Sequence, residues 1–364
     1  MMSRILLTPG PLTTREETRR AMLRDWGSRD GDFIALTAEV RRRLLAVANA
    51  ADSHVAVPLQ GSGTFIVEAA IGTLVGPNDK LLVLVNGAYG ERIVKIAQRI
   101  GRTVEALTWE EIEPVDPGRV ARALDADAAI THVAVIHCET TTGLLNPLAD
   151  IAAVVAKAGR KLLIDAMSSF GALPLDLSSL PATAVMASSN KCLEGTPGLG
   201  FALIEKQALV AAQGNSPSLS FDLVEQWRGF EGNGQWRFTP PVQVLAALGE
   251  ALRLLEAEGG PAARLARYSE NCDILVDGMA RLGFPLLLER DLQAPIIATF
   301  RHPDRPFAFE RFYEALAARG FVIYPGKLSK AESFRIGCIG AVDASDFRRL
   351  LAAIQDIMET RSAA

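Results

Sequence analysis

The sequence has few of the residues that staple a fold or hold a metal. Among 364 residues there are four cysteines, Cys138, Cys192, Cys272 and Cys338, and no C-x-x-C pair. Such scattered thiols suggest a reduced, cytosolic chain rather than a disulfide framework. The four histidines, His54, His132, His137 and His302, form no i, i+4 pair, so no metal site is expected. An excess of one charge is also lacking. Lys plus Arg number 38 and Asp plus Glu 42, a net charge of −4. No basic field exists to hold nucleic acid by neutralising phosphates. Long apolar runs are missing too. The most apolar window, residues 57–75, is broken by Gln60, Gly61-Ser62-Gly63-Thr64 and Glu68. A membrane-spanning helix needs about 18 or more apolar residues without such breaks. Near the N-terminus the apolar run Ile5-Leu6-Leu7 is shorter than a secretory signal requires.

What is present is the composition of a folded protein. Apolar residues make up 49% and charged residues 22%, enough apolar surface to offset the entropy of ordering. At roughly 150 residues per domain the length predicts about two domains. Short β-branched runs at residues 54–59, 80–85, 132–137, 161–164, 184–187 and 200–204 read as strands. Helical patterns lie among them at 64–74, 90–100, 117–124 and 147–158. That alternation predicts a mostly parallel sheet covered by helices. Glu256-Ala257-Glu258-Gly259-Gly260-Pro261 marks a break. Beyond it the pattern changes to a helix (262–282), a strand (296–300), a helix (309–319), strands at 321–324 and 333–337, and a last helix (344–360). This order suggests a smaller α+β domain. Residues 214–243, dense in Gly, Asn, Ser, Trp and Arg, read as a long irregular segment of the kind that often carries function.

Three features bear on chemistry. Gly61-Ser62-Gly63-Thr64 follows a strand and opens a helix. It is either a phosphate seat made of free N–H groups and hydroxyls or simply a tight capped turn. Asp165 ends a strand, at the sheet edge where α/β proteins bind ligands. It is either a turn residue or a functional carboxylate. Lys191 follows the next strand among small residues and is either solvated or functional. Taken together, a phosphate seat, a strand-end acid and a strand-end lysine match what a pyridoxal-phosphate enzyme needs: a phosphate site, an acid for the pyridinium nitrogen and an amine for the aldehyde.

Nearly the whole chain resembles the class V, fold-type-I pyridoxal-phosphate aminotransferases. The resemblance runs through residues 6–13, 26–30, 61–64, 86–90, 137–143, 165–169, 189–192, 236–240, 321–326 and 334–337. It is nearest to the branch that works on 2-aminoethylphosphonate and pyruvate. The resemblance implies an aspartate-aminotransferase-like α/β fold. Its mostly parallel central sheet carries helices on both faces, and a smaller α+β C-terminal domain follows. The large domain would span 13–255 and the small one 256–364, with segment 1–12 packing near the active site.

By resemblance, Lys191 links covalently to pyridoxal 5'-phosphate and is the general base, while Asp165 pairs with the ring nitrogen. Ser62, Gly63 and Thr64 hold the phosphate. Tyr89 stacks on the ring unless it merely packs a turn. Thr140 donates to the 3-oxygen. Trp236 and Thr239 complete the phosphate site of a second subunit, which implies a homodimer with shared sites. Trp236 stands where alanine–glyoxylate relatives carry tyrosine. Arg335 grips the substrate anion, with Arg29 a second candidate; Arg335 could otherwise be a strand-surface residue. Cys192 reads as packing. The implied partners are a small-molecule amine and a 2-oxo acid, with products phosphonoacetaldehyde and L-alanine. An alanine–glyoxylate or serine–pyruvate aminotransferase is the alternative on this scaffold. A non-catalytic phosphate-binding protein is a third reading.

Overall fold

The computed structural model describes residues 4–304, 306–326 and 332–362. Residues 1–3 of the expected N-terminal segment, and 305, 327–331 and 363–364 of the expected C-terminal domain, lie outside the described residues. The central sheet has seven strands in the order His54–Gln60, Leu199–Glu205, Ala184–Ser188, Lys161–Asp165, Ile130–Ile136, Lys80–Val85, Thr103–Thr108. Leu199–Glu205 runs antiparallel to both of its neighbours. The other neighbouring pairs are parallel. All six strands read from the sequence are present. Lys80–Val85 shows why they were legible, since Leu81, Leu82, Val83 and Leu84 are fully buried between helical layers.

The seventh strand, Thr103–Thr108, was not anticipated. It is one edge of the sheet, mostly exposed, and its sequence TVEALT carries no continuous apolar run. So exposed a strand buries too little surface to write that signal, whereas the opposite edge, His54–Gln60, is mostly buried and legible. Two long helices were also missed, Gly31–Val47 and Val242–Glu258. They bury Phe33, Thr37, Val40 and Leu44 on one, and Leu245, Leu248, Leu252 and Leu255 on the other, at helical spacing. Segment 214–243 is only partly irregular. Asp222 caps a helix, Leu223–Asn233, by accepting the Glu225 N–H at 3.1 Å. Gly234 ends it in the left-handed conformation.

The C-terminal part forms its own sheet. Ile297–Arg301 pairs antiparallel with Ser333–Gly337, which pairs in turn with Tyr324–Pro325. The strand expected over 321–324 is split. Its first piece, Phe321–Val322, pairs in parallel with Ile5–Leu6. The N-terminus therefore joins the C-terminal part, and Leu7 is buried in that part's core. Helix Gly260–Arg281 starts at the expected break, where Gly259 and Gly260 both have positive φ. No helix among the described residues is long and apolar enough to cross a membrane.

Apolar side chains gather into one large core under the central sheet and a second around the C-terminal sheet. Phe334 is the centre of the second. Its ring lies 5.5 Å from those of Phe284 and Phe312 and 5.8 Å from that of Phe300. Phe334→Ala should destabilise the protein by about 3–5 kcal/mol, the usual cost of emptying a buried phenylalanine site. Thermal unfolding checks this, and an unchanged midpoint would mean that the ring cluster does not hold the C-terminal sheet.

Candidate active site

The C-terminal edge of the central sheet opens into a cavity of about 400 Å³, a volume suited to a small ligand. Its wall includes Gly10, Ser62, Gly63, Thr64, Tyr89, Arg92, Asp165, Met167, Asn190 and Lys191. Five elements converge there because parallel strands end together and their loops meet.

Strand His54–Gln60 runs into Gly61, whose φ of +121° suits only glycine; a Cβ there would strike the Phe65 ring at 2.6 Å. Ser62 is the N-cap of helix Gly63–Leu74, yet its side chain caps nothing. Its hydroxyl and the first N–H groups of the helix are thus available to an anion. Thr64 Oγ1 accepts from Arg92 Nη1 at 3.1 Å. The Arg92 guanidinium also sits 4.7 Å from the centre of the Tyr89 ring.

Asp165 closes strand Lys161–Asp165 and is buried. Burial pushes its carboxyl up to about 6, against the opposing pull of the Met167 N–H, Lys191 and Arg92. The Met167 N–H donates to Asp165 Oδ1 at 2.9 Å. Lys191 sits in the loop between strands Ala184–Ser188 and Leu199–Glu205. Burial lowers its amine to about 8, with Asp165 and the neighbouring cysteines pulling it back up. Among the described residues neither Lys191 nor Asp165 has an ion-pair partner. Gly10 lies against the lysine stem, where a Cβ would come within 2.9 Å of Lys191 Cδ. The N-terminal segment is thereby brought to the cavity.

Thr140 and Arg335 adjoin this cavity without lining it. Thr140 Oγ1 bonds Ser168 Oγ at 2.6 Å. Its carbonyl accepts from Arg335 Nη1 at 3.1 Å. Arg335, on strand Ser333–Gly337, is 2% exposed. Its Nε donates to the Pro325 carbonyl at 3.2 Å. It is therefore not a surface arginine. No carboxylate lies within ion-pair distance of it among the described residues, which leaves its positive charge for an outside anion.

Three candidate residues do not line this cavity, two of them, Trp236 and Thr239, being expected at a second copy's site. Arg29 is exposed. Trp236 requires a correction: it is a core residue of its own chain, packed edge-on against Phe230. Its single indole donor goes to Thr37 Oγ1 at 3.1 Å, so it is not free for a phosphate. Thr239 is exposed, away from its own chain's cavity. Two residues were missed. Arg92 lies three positions after Tyr89, one helical turn on, which was a readable signal. Glu139, next to Thr140, is fully buried, and burial pushes it up to about 7. Nothing in the sequence marked its burial.

These residues fit pyridoxal phosphate. The open helix start suits a phosphate, the unpaired buried acid suits a cationic ring nitrogen, and the unpaired amine suits an aldehyde. The raised Asp165 carboxyl has a consequence for stability. The folded state holds its proton more tightly than the unfolded chain, so stability is lost as pH rises toward 6. Asp165→Asn should therefore raise the melting temperature of cofactor-free protein at pH 8, by at most about 3 kcal/mol of stability, and change it little at pH 4. Equal effects at both pH values would refute the assignment.

Residues 16–327 match the model of the aminotransferase class-V family. The chain is 54% identical over 355 residues to the 2-aminoethylphosphonate–pyruvate transaminase of Pseudomonas entomophila, covering 97% of this chain and 96% of that one. The corresponding protein of Pseudomonas aeruginosa is equally similar, at 54% over the same shares. Among solved structures, an alanine–glyoxylate aminotransferase from Nostoc superposes with a TM-score of 0.92 at 25% identity, covering 98% of this chain and 96% of that one. Pyridoxamine–pyruvate aminotransferase from Mesorhizobium loti gives 0.90 at 27%, over 98% and 93%. With a lysine and an acid at the sheet edge and a match across most of its length, the chain belongs to the class-V aminotransferase family.

Proposed function

We propose that this chain is a pyridoxal-phosphate-dependent transaminase that moves the amino group of 2-aminoethylphosphonate to pyruvate, giving phosphonoacetaldehyde and L-alanine. The observation that carries the chemistry is one cavity in which an unpaired amine and an unpaired acid lie beside an open helix start. The choice of substrate is supported by relatives of that name at 54% identity over 97% of the chain.

Pyridoxal phosphate supplies an aldehyde that exchanges for the amino group and a ring that draws electrons from the reacting carbon. Ser62, Gly63 and Thr64 would hold its phosphate, and Asp165 would keep its ring nitrogen protonated. Tyr89 would cover a ring face, and Thr140 would turn its hydroxyl to the 3-oxygen. Lys191, its amine lowered to about 8, would take the proton from the substrate carbon that bears nitrogen and deliver it to the cofactor carbon that carried the aldehyde; in the other half-reaction it would move a proton in the opposite direction. Arg335 offers a planar fork to the phosphonate in one half-reaction and to the pyruvate carboxylate in the other. Arg29, at the surface, is left as a second anion contact.

Two variants test these roles in single-turnover assays with 2-aminoethylphosphonate and with L-alanine. Lys191→Ala should lower turnover by about 10²–10⁴-fold, the usual weight of a general base, while cofactor still binds by equilibrium dialysis. Arg335→Lys should slow both half-reactions roughly 10- to 100-fold without reducing cofactor loading. Wild-type rates in either variant would remove that residue from the mechanism. A preference of the wild type for L-serine or glycine would replace the substrate with that of an alanine–glyoxylate or serine–pyruvate enzyme.

We further propose a cytoplasmic homodimer, with a large domain over 13–255 and a small one over 256–364. The exposed side chains Phe65, Leu219 and Phe238, and the contact between Phe65 and Phe221, support a covered face beside the cavity. Exposed Thr239 next to Phe238 suits a reach into a second copy's phosphate site. Mixing Lys191→Ala with Thr239→Asp subunits should then restore activity, because one site of each hybrid carries neither change. Absence of any recovery in hybrids confirmed by mass would disprove the shared site.

A further inference from the structure

Below the cavity lies a buried ionic cluster that the mechanism above does not use. It is built around Glu194, three residues after Lys191. Glu194 is 2% exposed and has a φ of +59°, a conformation that residues with a side chain rarely adopt. Glycine would be the easy choice there. The carboxylate is what glycine could not supply. Its Oε1 accepts from the Tyr268 hydroxyl at 2.6 Å and from Arg267 Nη2 at 2.7 Å. Burial and the Glu194 charge push the Tyr268 hydroxyl well up, so it donates as a neutral phenol.

The lysine loop is closed on itself by two backbone bonds. Glu194 N–H donates to the Lys191 carbonyl and Gly195 N–H to the Ser189 carbonyl, both at 2.8 Å. Fully buried Arg264 fastens the same loop by donating to the Cys192 carbonyl at 2.7 Å. Arg264 and Arg267 share Glu258 as a second acceptor, and Arg15 stands 3.7 Å from both carboxylates. Arg267 also donates to the Gly340 carbonyl at 2.7 Å and the Val342 carbonyl at 2.9 Å. Those carbonyls follow the strand that carries Arg335. Helix Gly260–Arg281, which supplies Arg264, Arg267 and Tyr268, thus grips the lysine loop with one set of donors and the Arg335 segment with another.

We propose that Glu194 is a positioning residue for Lys191: its carboxylate anchors the lysine loop to helix Gly260–Arg281 and so sets the amine in register with Arg335. Any substrate must reach both groups at once, one at its amino-bearing carbon and one at its anion. The inference rests on Lys191 being the amine that takes the cofactor.

The test uses holoenzyme carrying Glu194→Gln or Tyr268→Phe. The first keeps an acceptor oxygen but loses the charge that holds Arg267. The second removes one hydroxyl and leaves the shape. Both should bind pyridoxal phosphate, since the helix start is untouched. Turnover should fall roughly ten- to a hundredfold, the cost of a displaced reacting group. The pH titration of the bound cofactor's visible band should shift its midpoint by about half a unit or more. The groups that otherwise act on the Lys191 amine, namely Asp165, Cys138, Cys192 and Arg335, are the same in both proteins. Folded variants with wild-type turnover and titration overturn the proposal, as does a lower melting temperature with both readouts unchanged. If Glu194→Gln does not fold, Tyr268→Phe decides. If the wild-type band does not respond to Lys191→Ala, the lysine assignment itself fails and takes this proposal with it.

Discussion

Two groups of opposite charge, Lys191 and Asp165, are kept in one cavity without pairing. Left in water, each would be fully charged. Burial moves the amine down to about 8 and the carboxyl up to about 6. A fold built for stability alone would join them or replace both with apolar side chains, because unpaired buried charge is costly. Much of the surrounding structure is what holds them apart. Asp165 is tied by the Met167 N–H at the end of a strand that is buried from Leu162 onward. Lys191 is tied by a loop that closes on its own backbone and is fastened from below.

The same tension is visible one layer out. Among the described residues Arg335 is buried with only backbone carbonyls as hydrogen-bond partners, and Glu139 is buried with the Thr141 hydroxyl and N–H. Neither is an economical way to fill space. Each is a polar group whose surroundings leave part of its charge unanswered. Such groups gather where a charged ligand completes the account. The apolar cores on either side make this arrangement tolerable. The central sheet and the C-terminal cluster around Phe334 are closely packed, and the candidate site lies on the seam between them.

The seam also explains the N-terminus. Ile5–Leu6 joins the C-terminal part by pairing with Phe321–Val322, and four residues later Gly10 packs on the lysine stem. A short segment from one end of the chain therefore links both cores to the site. Helix Gly260–Arg281 does the same from the other side through its arginines.

How much of this was legible follows from what each residue's neighbours are. Continuous apolar strands such as Lys80–Val85, the Gly61-Ser62-Gly63-Thr64 turn, strand-end Asp165 and Lys191 are local patterns. Their meaning is set by residues adjacent in the chain, so the sequence by itself determined the α/β class and pointed to Gly61–Thr64, Asp165 and Lys191 as the candidate site. Edge strand Thr103–Thr108 escaped because its exposed face leaves no apolar record. Trp236 was misassigned because the acceptor of its indole, Thr37, lies on a helix 199 positions away. Arg335 was readable as an arginine in the right motif, but its lack of an acidic partner among the described residues was not. That Glu194 holds Tyr268 and Arg267 depends on residues more than seventy positions away. Burial, unanswered charge and long-range ion pairs are properties of the packed chain. Only the tertiary structure decided them, because a sequence records which groups are present and not which of them water can reach.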